Sequence, residues 1–430
     1  MIYGTLFDKG GNNMKKYDLI VAGGGLTGVA AAVSAAREGL QVLLVERMGC
    51  LSGAMANSLV YPFMIFWMND PETGKRRLLS AGLFTEMRER MSAKTGFTDM
   101  ELKPEYFKLV LDDMVTEAGV DVLFHAAIFD VMTENDKVKS LKLVTKSGVI
   151  EVEAEFFVDA TGDGDVFAMA GCEFALGRES DGLCQPMTTC FRLSNVDLEL
   201  FKKERPRLQE LYKERQAEGK ITNPRENILV FYGIGDGISH LNTTRVIRMN
   251  PIDVFDVSKA EIEARRQVYE MEQFLKANCE AFKNSTIISI ASDIGVRESR
   301  KLIGEHVLTA EELKNCTPFE DSIAIGNYEI DIHNPNGTGT ELYYFKPGEY
   351  YQIPYRSLLP KEFTNLLVAG RCISATHEAQ AAVRIMPICS CLGEAAGTAI
   401  GVAFNSGSNT HTVDVKEVQR KLIEYGAEIF

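Results

Sequence analysis

Two sets of residues in this chain have the types and the spacing to do chemistry. The first is Val21-Ala-Gly-Gly-Gly-Leu-Thr-Gly28, with Glu46 eighteen residues beyond its last glycine. The G-x-G-x-x-G spacing suits a diphosphate. Gly23 permits a tight turn, Gly25 leaves the backbone bare where phosphates approach, and Gly28 lets the next helix pack close to the preceding strand. Leu26 and Thr27 complete the turn. Unpaired N–H groups at the helix start, with the partial positive charge of its dipole, would hold the anion. Glu46 would accept from both ribose hydroxyls and repel a 2′-phosphate, which disfavours NADP at this site.

The second set is His333 and His377 with Arg297, Arg300, Arg356 and Arg384. Imidazoles move protons near neutral pH, and guanidinium forks hold carboxylates bidentately. If Glu329–His333 is a strand, Asp331 and His333 share a face. If the stretch after His377 is helical, His377 and Arg384, seven apart, share another. The set is expected to line a pocket for an anionic small molecule. His125, His240, His306 and His411 lack such a context and read as structural or surface residues.

The elements that must position these groups are legible in outline. Tyr17–Ala22 reads as a buried parallel strand, Leu26–Glu38 as an alanine-rich helix ended by Gly39, and Gln41–Glu46 as a second strand. This is one βαβ unit of a doubly wound sheet. Leu59–Asp99 looks irregular. Pro104–Ala118 has helical spacing, and Val120–Phe124, Ala127–Met132, Val138–Thr145 and Ile150–Val158 alternate or run apolar like strands. The last ends at Asp159-Ala160-Thr161-Gly162, small residues at the carboxyl edge of a sheet. Between 180 and 350, charged helices (Leu198–Glu218, Ser258–Phe282) alternate with turn-rich segments. Phe363–Ala369 is again a buried strand ending at Gly370-Arg371, and Pro387–Phe404 is a Gly/Ala-rich helix.

The 430 residues are 45% apolar and exceed what one core usually serves. The expected division is a discontinuous cofactor domain at 15–58, 104–179 and 352–430, an inserted α+β substrate domain at 59–103 and 180–351, and an N-terminal extension at 1–14. A net charge of −14 disfavours nucleic acid and anionic membrane surfaces as partners. No apolar run is expected to cross a bilayer, the closest being Leu59–Met68. The nine cysteines have irregular spacing without a C-x-x-C pair, so no metal site is expected and the thiols read as reduced ones of a cytoplasmic protein. Asp163-Gly164-Asp165 lacks the other ligand positions of a calcium loop. Ser-His-Asp, H-E-x-x-H and P-loop motifs are absent, and so is a second G-x-G-x-x-G for a nicotinamide donor.

Longer segments carry a resemblance. They are the Gly23–Glu46 fingerprint, Asp159–Asp165, Gly177–Gly182 with Gln185-Pro186-Met187, and Gly295–Arg300. Ile330–His333, Ile353–Arg356, Asn365–Arg371 and His377–Gly397 continue it. In these segments the chain resembles the FAD-dependent oxidoreductases whose flavin domain is similar to that of glutathione reductase, in the group related to the heterodisulfide reductase A flavoprotein. The resemblance implies a Rossmann-like α/β fold, non-covalently bound FAD, and hydride transfer between flavin N5 and an unidentified substrate. Besides the fingerprint residues, it implies cofactor contacts from Arg47, Ser52, Gly53, Ala127, Ala160, Thr161, Gly162, Gly370, Arg371, Pro387 and Gly393. The helix that Pro387 opens would lie beside the flavin pyrimidine edge, where its dipole stabilises an anion. His333, His377, Arg297, Arg356 and Arg384 are then the candidate catalytic residues. The electron partner is unassigned, and a homo-oligomer is open. Two alternatives stand beside this reading: an electron-transferring subunit of a larger complex, and a non-redox use of FAD.

Overall fold

The computed structural model describes residues 16–98 and 100–430. The extension expected at 1–14 lies outside them.

The fingerprint sits in a mixed seven-stranded sheet. Its parallel half runs, in spatial order, β3 (Asp121–Leu123), β2 (Val42–Val45), β1 (Tyr17–Ala22), β6 (Gly148–Asp159) and β7 (Leu366–Val368). All four pairings are parallel and bring the carboxyl ends of β1, β6 and β7 to one edge: Ala22 pairs with Asp159, and Asp159 with Val368. Strand β6 is long because it serves two partners. Its first half closes an antiparallel meander with β4 (Ala127–Glu134) and β5 (Lys137–Thr145), and its second half enters the parallel sheet. The buried Leu, Val and Ile of β1 and β2 explain why those strands read as continuous apolar runs.

Helix α1 (Leu26–Arg37) covers the sheet and is itself covered by α2 (Met386–Ser406). Gly393, Gly397 and Gly401 form a stripe on α2 at four-residue spacing. A Cβ at Gly393 would collide with the Thr27 carbonyl, and one at Gly397 with the Ala31 carbonyl. The absence of side chains there lets the two helix backbones touch. Helix α2 corrects one expectation, since by length and composition it is apolar enough to cross a membrane, yet 94% of its most apolar window is buried inside the protein. Its apolarity serves a core enclosed on all sides.

The inserted region builds a cap. A four-stranded antiparallel sheet in the order Val230–Phe231, Ser239–Leu241, Phe191–Ser194, Thr286–Ile290 packs one face on the helices Leu198–Ala217 and Val254–Asn278. The second helix starts one turn before its apolar pattern suggests, because the Asp253 carboxylate accepts from the N–H groups of Phe255 and Asp256. The stretch Leu59–Asp99, expected to be irregular, holds a hairpin (Trp67–Asn69 with Arg76–Leu78) and the helix Leu83–Thr95. That helix buries Leu83, Phe84, Met87 and Met91 together with Arg88, and the buried charge breaks the apolar signature. Strand Tyr351–Pro354 pairs with Ser322–Gly326 across the boundary expected at 351/352, and Leu308, Ile323 and Ala324 share the core beneath α1.

Candidate active site

The cofactor cradle forms where β1 turns into α1. Gly23 has φ +98°, a conformation that favours glycine, and a Cβ there would stand 2.5 Å from the Ala160 carbonyl oxygen. A Cβ at Gly28 would collide with the Gly23 carbonyl. Gly25 is the N-cap of α1, and a Cβ built on it meets nothing nearer than Gly53 Cα at 3.9 Å. Two glycines are therefore closed by packing, and the third is the least crowded, with only Gly53 at contact distance.

Glu46 is 5% exposed at the end of β2. Its Oε2 accepts from Gly24 N and its Oε1 from Met48 N, both at 2.7 Å. Each oxygen keeps a further lone pair, so the carboxylate is fixed in place and still able to accept from a sugar. The loop after it returns to the fingerprint: Ser52 N donates to the Gly24 carbonyl at 2.9 Å, and Gly53 abuts Gly25. Ser52 holds φ +90°, and its buried hydroxyl has no protein partner. An orphaned hydroxyl beside the least crowded of these glycines, at the start of α1, fits a diphosphate group. Arg47 instead reaches out to Asp293, 2.5 Å away. Ala127 is exposed, while Ala126 N donates to the Glu46 carbonyl.

The second wall is the edge made by β6 and β7. Burial lifts the Asp159 carboxyl to about 6, although it accepts from Phe167 N and from Thr161 N and Oγ1. These bonds shape the Ala160–Gly162 turn that abuts Gly23. Asp163 and Asp165, the pair that hinted at calcium, are matched to Arg371 (2.8 Å) and Arg300 (3.0 Å). Gly370, with φ +88°, packs against the Thr27 side chain. Leu26 is buried behind the turn, and Pro387 opens α2 as expected.

From this edge Gln380 ties the cofactor side to the segment that carries Arg297 and Glu298. Gln380 Nε2 donates to the carbonyls of Arg371 (3.3 Å) and Arg297 (3.0 Å). Next to Arg297, Glu298 is fully buried. Burial pushes its carboxyl up, but the His377 hydrogen bond and the Lys301 charge outweigh that and hold it below the ordinary range. His377 Nδ1 lies 2.8 Å from Glu298 Oε1, and Gln185 N donates to Oε2 at 2.9 Å. An ionised carboxylate only accepts, so Nδ1 carries the proton. Nε2 is then left with its lone pair, buried and without a protein partner.

His333 differs. Its N–H donates to Gln185 Oε1 at 3.3 Å, its Nδ1 lies 3.0 Å from Arg245 NH2, and its Nε2 lies 3.3 Å from Asp331. Burial, with the Arg297 charge, drives the imidazole down to about 3. As expected, Asp331 and His333 share a face. Asp331 also lies 3.7 Å from Arg384 and accepts from Tyr328 at 3.0 Å. Arg297 donates to Pro186 O (2.8 Å) and Thr188 Oγ1 (2.5 Å); burial and the Arg384 charge bring it down to about 9. Arg356 does not join them. It pairs with Asp321 at 2.9 Å with half its side chain exposed, because the turn after Tyr351–Pro354 points outward.

Three buried arginines, Arg192, Arg225 and Arg245, were not singled out from the sequence. Only Arg192 carried a signal, as a charge within an apolar strand.

A sheet with this crossover order, a bare turn at a helix start and a buried acid at the next strand define a dinucleotide-binding flavoprotein class. The chain belongs to the FAD dependent oxidoreductase family, whose model matches residues 18–422. It is 29% identical over 170 residues to the digeranylgeranylglycerophospholipid reductase of Methanosarcina acetivorans, covering 37% of this chain and 41% of that one. It is 24% identical over 263 residues to the enzyme of that name from Thermoplasma volcanium, covering 56% and 62%. The matches thus span less than two thirds of those relatives. A geranylgeranyl bacteriochlorophyll reductase-like protein of Thermoplasma acidophilum is similar in structure with a TM-score of 0.47, at 14% identity over 95% of this chain and 84% of that one. The parallel sheet and first βαβ turn of this chain are Rossmann-like.

Proposed function

We propose that the chain transfers a hydride between flavin N5 and an anionic small molecule, with His377 as the proton-transfer group. The observation that carries this reading is His377, fixed through Nδ1 by the buried Glu298 with Nε2 unpartnered, one turn before Gln380, whose Nε2 donates to the Arg371 carbonyl at the cofactor edge and to the Arg297 carbonyl. FAD, when bound, supplies a two-electron donor or acceptor. Gly25, the first turn of α1, Glu46 and Ser52 would hold its diphosphate and ribose.

The two histidines divide the work. His377 presents an unpartnered, buried Nε2, while Glu298 on Nδ1 fixes its tautomer and ring orientation. His333 is saturated on both nitrogens and neutral, so it acts as a strut linking Arg245 to Asp331. Arg297 and Arg384 outnumber the single Asp331 between them, which favours an anionic ligand beside them. Taking these charges out of water without a counter-charge is costly, and a bound carboxylate offsets that cost.

The test is anaerobic mixing of the FAD-loaded chain with a panel of carboxylates, following the flavin absorbance. His377→Gln should keep the yellow colour and slow flavin reduction or reoxidation by at least about a hundredfold. Unchanged rates would remove His377 from the mechanism.

A further inference from the structure

The cap sheet has a second face that the site above does not use. Phe191, Leu193 and Leu241 point into the cap core. Arg192 and His240, register partners on adjacent strands, alternate with them and point the opposite way. On that side the rings of Tyr61 and Phe231 lie 5.3 Å and 6.2 Å from His240. His240 is fully buried, and neither ring nitrogen has a partner. Arg192 is 7% exposed. Its NH1 lies 3.9 Å from the largely exposed Glu105 carboxylate, and its Nε and NH2 have no partner. A guanidinium and an imidazole buried among aromatic rings, with four nitrogens unsatisfied, carry a desolvation cost that the distant, exposed Glu105 offsets only in part.

This group shares a chain segment with a partner of Arg297. Thr188, Cys190 and Arg192 alternate along one segment, and Arg297 donates to Thr188 Oγ1 at its near end. At ~3.3 Å per residue, the four steps from 188 to 192 separate the ends by about 13 Å. Between them Cys190 packs on Leu59 and Ala291, an apolar floor. Burial raises the Cys190 thiol, against the pull of the Arg297, Arg225 and Arg192 charges. Arg225 also keeps a buried NH1 without a partner.

We propose that the substrate carries acidic groups at both ends, one held by Arg297 and the other by Arg192 and His240, with its apolar middle over Cys190. The ligand class is a small dicarboxylate, and Arg192 sets the preference for it over a monocarboxylate. This rests on the anionic-substrate reading above and adds a second subsite to it.

Calorimetric binding to the FAD-loaded full chain tests it, with straight-chain α,ω-dicarboxylates of four to eight carbons and monocarboxylates of the same lengths as probes. At least one diacid should bind about tenfold or more tightly than its matched monoacid, a gap of about 1.4 kcal/mol. Arg192→Gln should erase that gap and leave monoacid binding in place, and Arg192→Lys should restore part of it. Equal binding of diacids and monoacids, or a diacid preference that survives Arg192→Gln, overturns the second subsite alone. If no acid of either series binds, the anionic-substrate reading falls with it.

Discussion

Glu394 offers a quantitative test of how tightly α2 is sealed. It follows Gly393, is 1% exposed, and accepts from Leu83 N at 3.0 Å. Burial raises its carboxyl from 4.5 to about 8; the Leu83 bond and Arg37 pull it down, and Glu86 pushes it up. Between pH 4.5 and 8 the folded chain therefore holds a proton that the unfolded chain has released. Stability then falls with rising pH by about 1.4 kcal/mol per unit. The contribution is fully present below pH 4.5 and lost as pH rises through 8, an upper limit on the order of 5 kcal/mol across the window. Glu394→Gln keeps the shape and an oxygen for Leu83 N, and has no proton to lose. Urea unfolding of both proteins at pH values from 5.5 to 8 is the assay. Other titrating groups, Asp159 among them, are common to the two proteins and cancel in the difference. The variant should gain about 3 kcal/mol relative to the parent between those limits. Parallel stability curves would refute the reasoning.

Gly397→Ala puts a methyl into the Ala31 carbonyl, with Ser34 Cβ 2.9 Å away. Its better helix propensity is worth at most about 1 kcal/mol, so a net loss of about 1–3 kcal/mol is expected from the overpacked α1–α2 contact. Thermal unfolding should show a lower midpoint and weaker FAD retention. Arg297→Lys loses the planar guanidinium, whose NH1 now donates to both Pro186 O and Thr188 Oγ1 and whose other nitrogens are left for a carboxylate. Once a substrate is found, it should raise KM by about tenfold or more while FAD titration stays unchanged.

Local chemistry made the cofactor half readable. A G-x-G-x-x-G turn needs glycine at positions fixed by backbone contact, so Gly23, Gly28 and Glu46 carry their meaning in short spacings. Strands buried on both faces also announce themselves as apolar runs. The helix Leu83–Thr95 was hidden because Arg88 is buried in it, and the first turn of the helix from Val254 because a capping carboxylate, not apolar period, starts it. The role of Ser52 was marked by its loop, but its orphaned hydroxyl is a fact of packing.

The sequence by itself determined the βαβ cradle, the buried acid at the end of β2, and the residue types available for proton transfer and anion binding. Which histidine keeps a free nitrogen, and which arginines are left without a counter-charge, only the tertiary structure decided. Those properties depend on Glu298, Asp331 and Arg245, brought to the histidines from other parts of the chain. Burial then sets the cost of each unpaired charge, and burial is not encoded in any short stretch of residues.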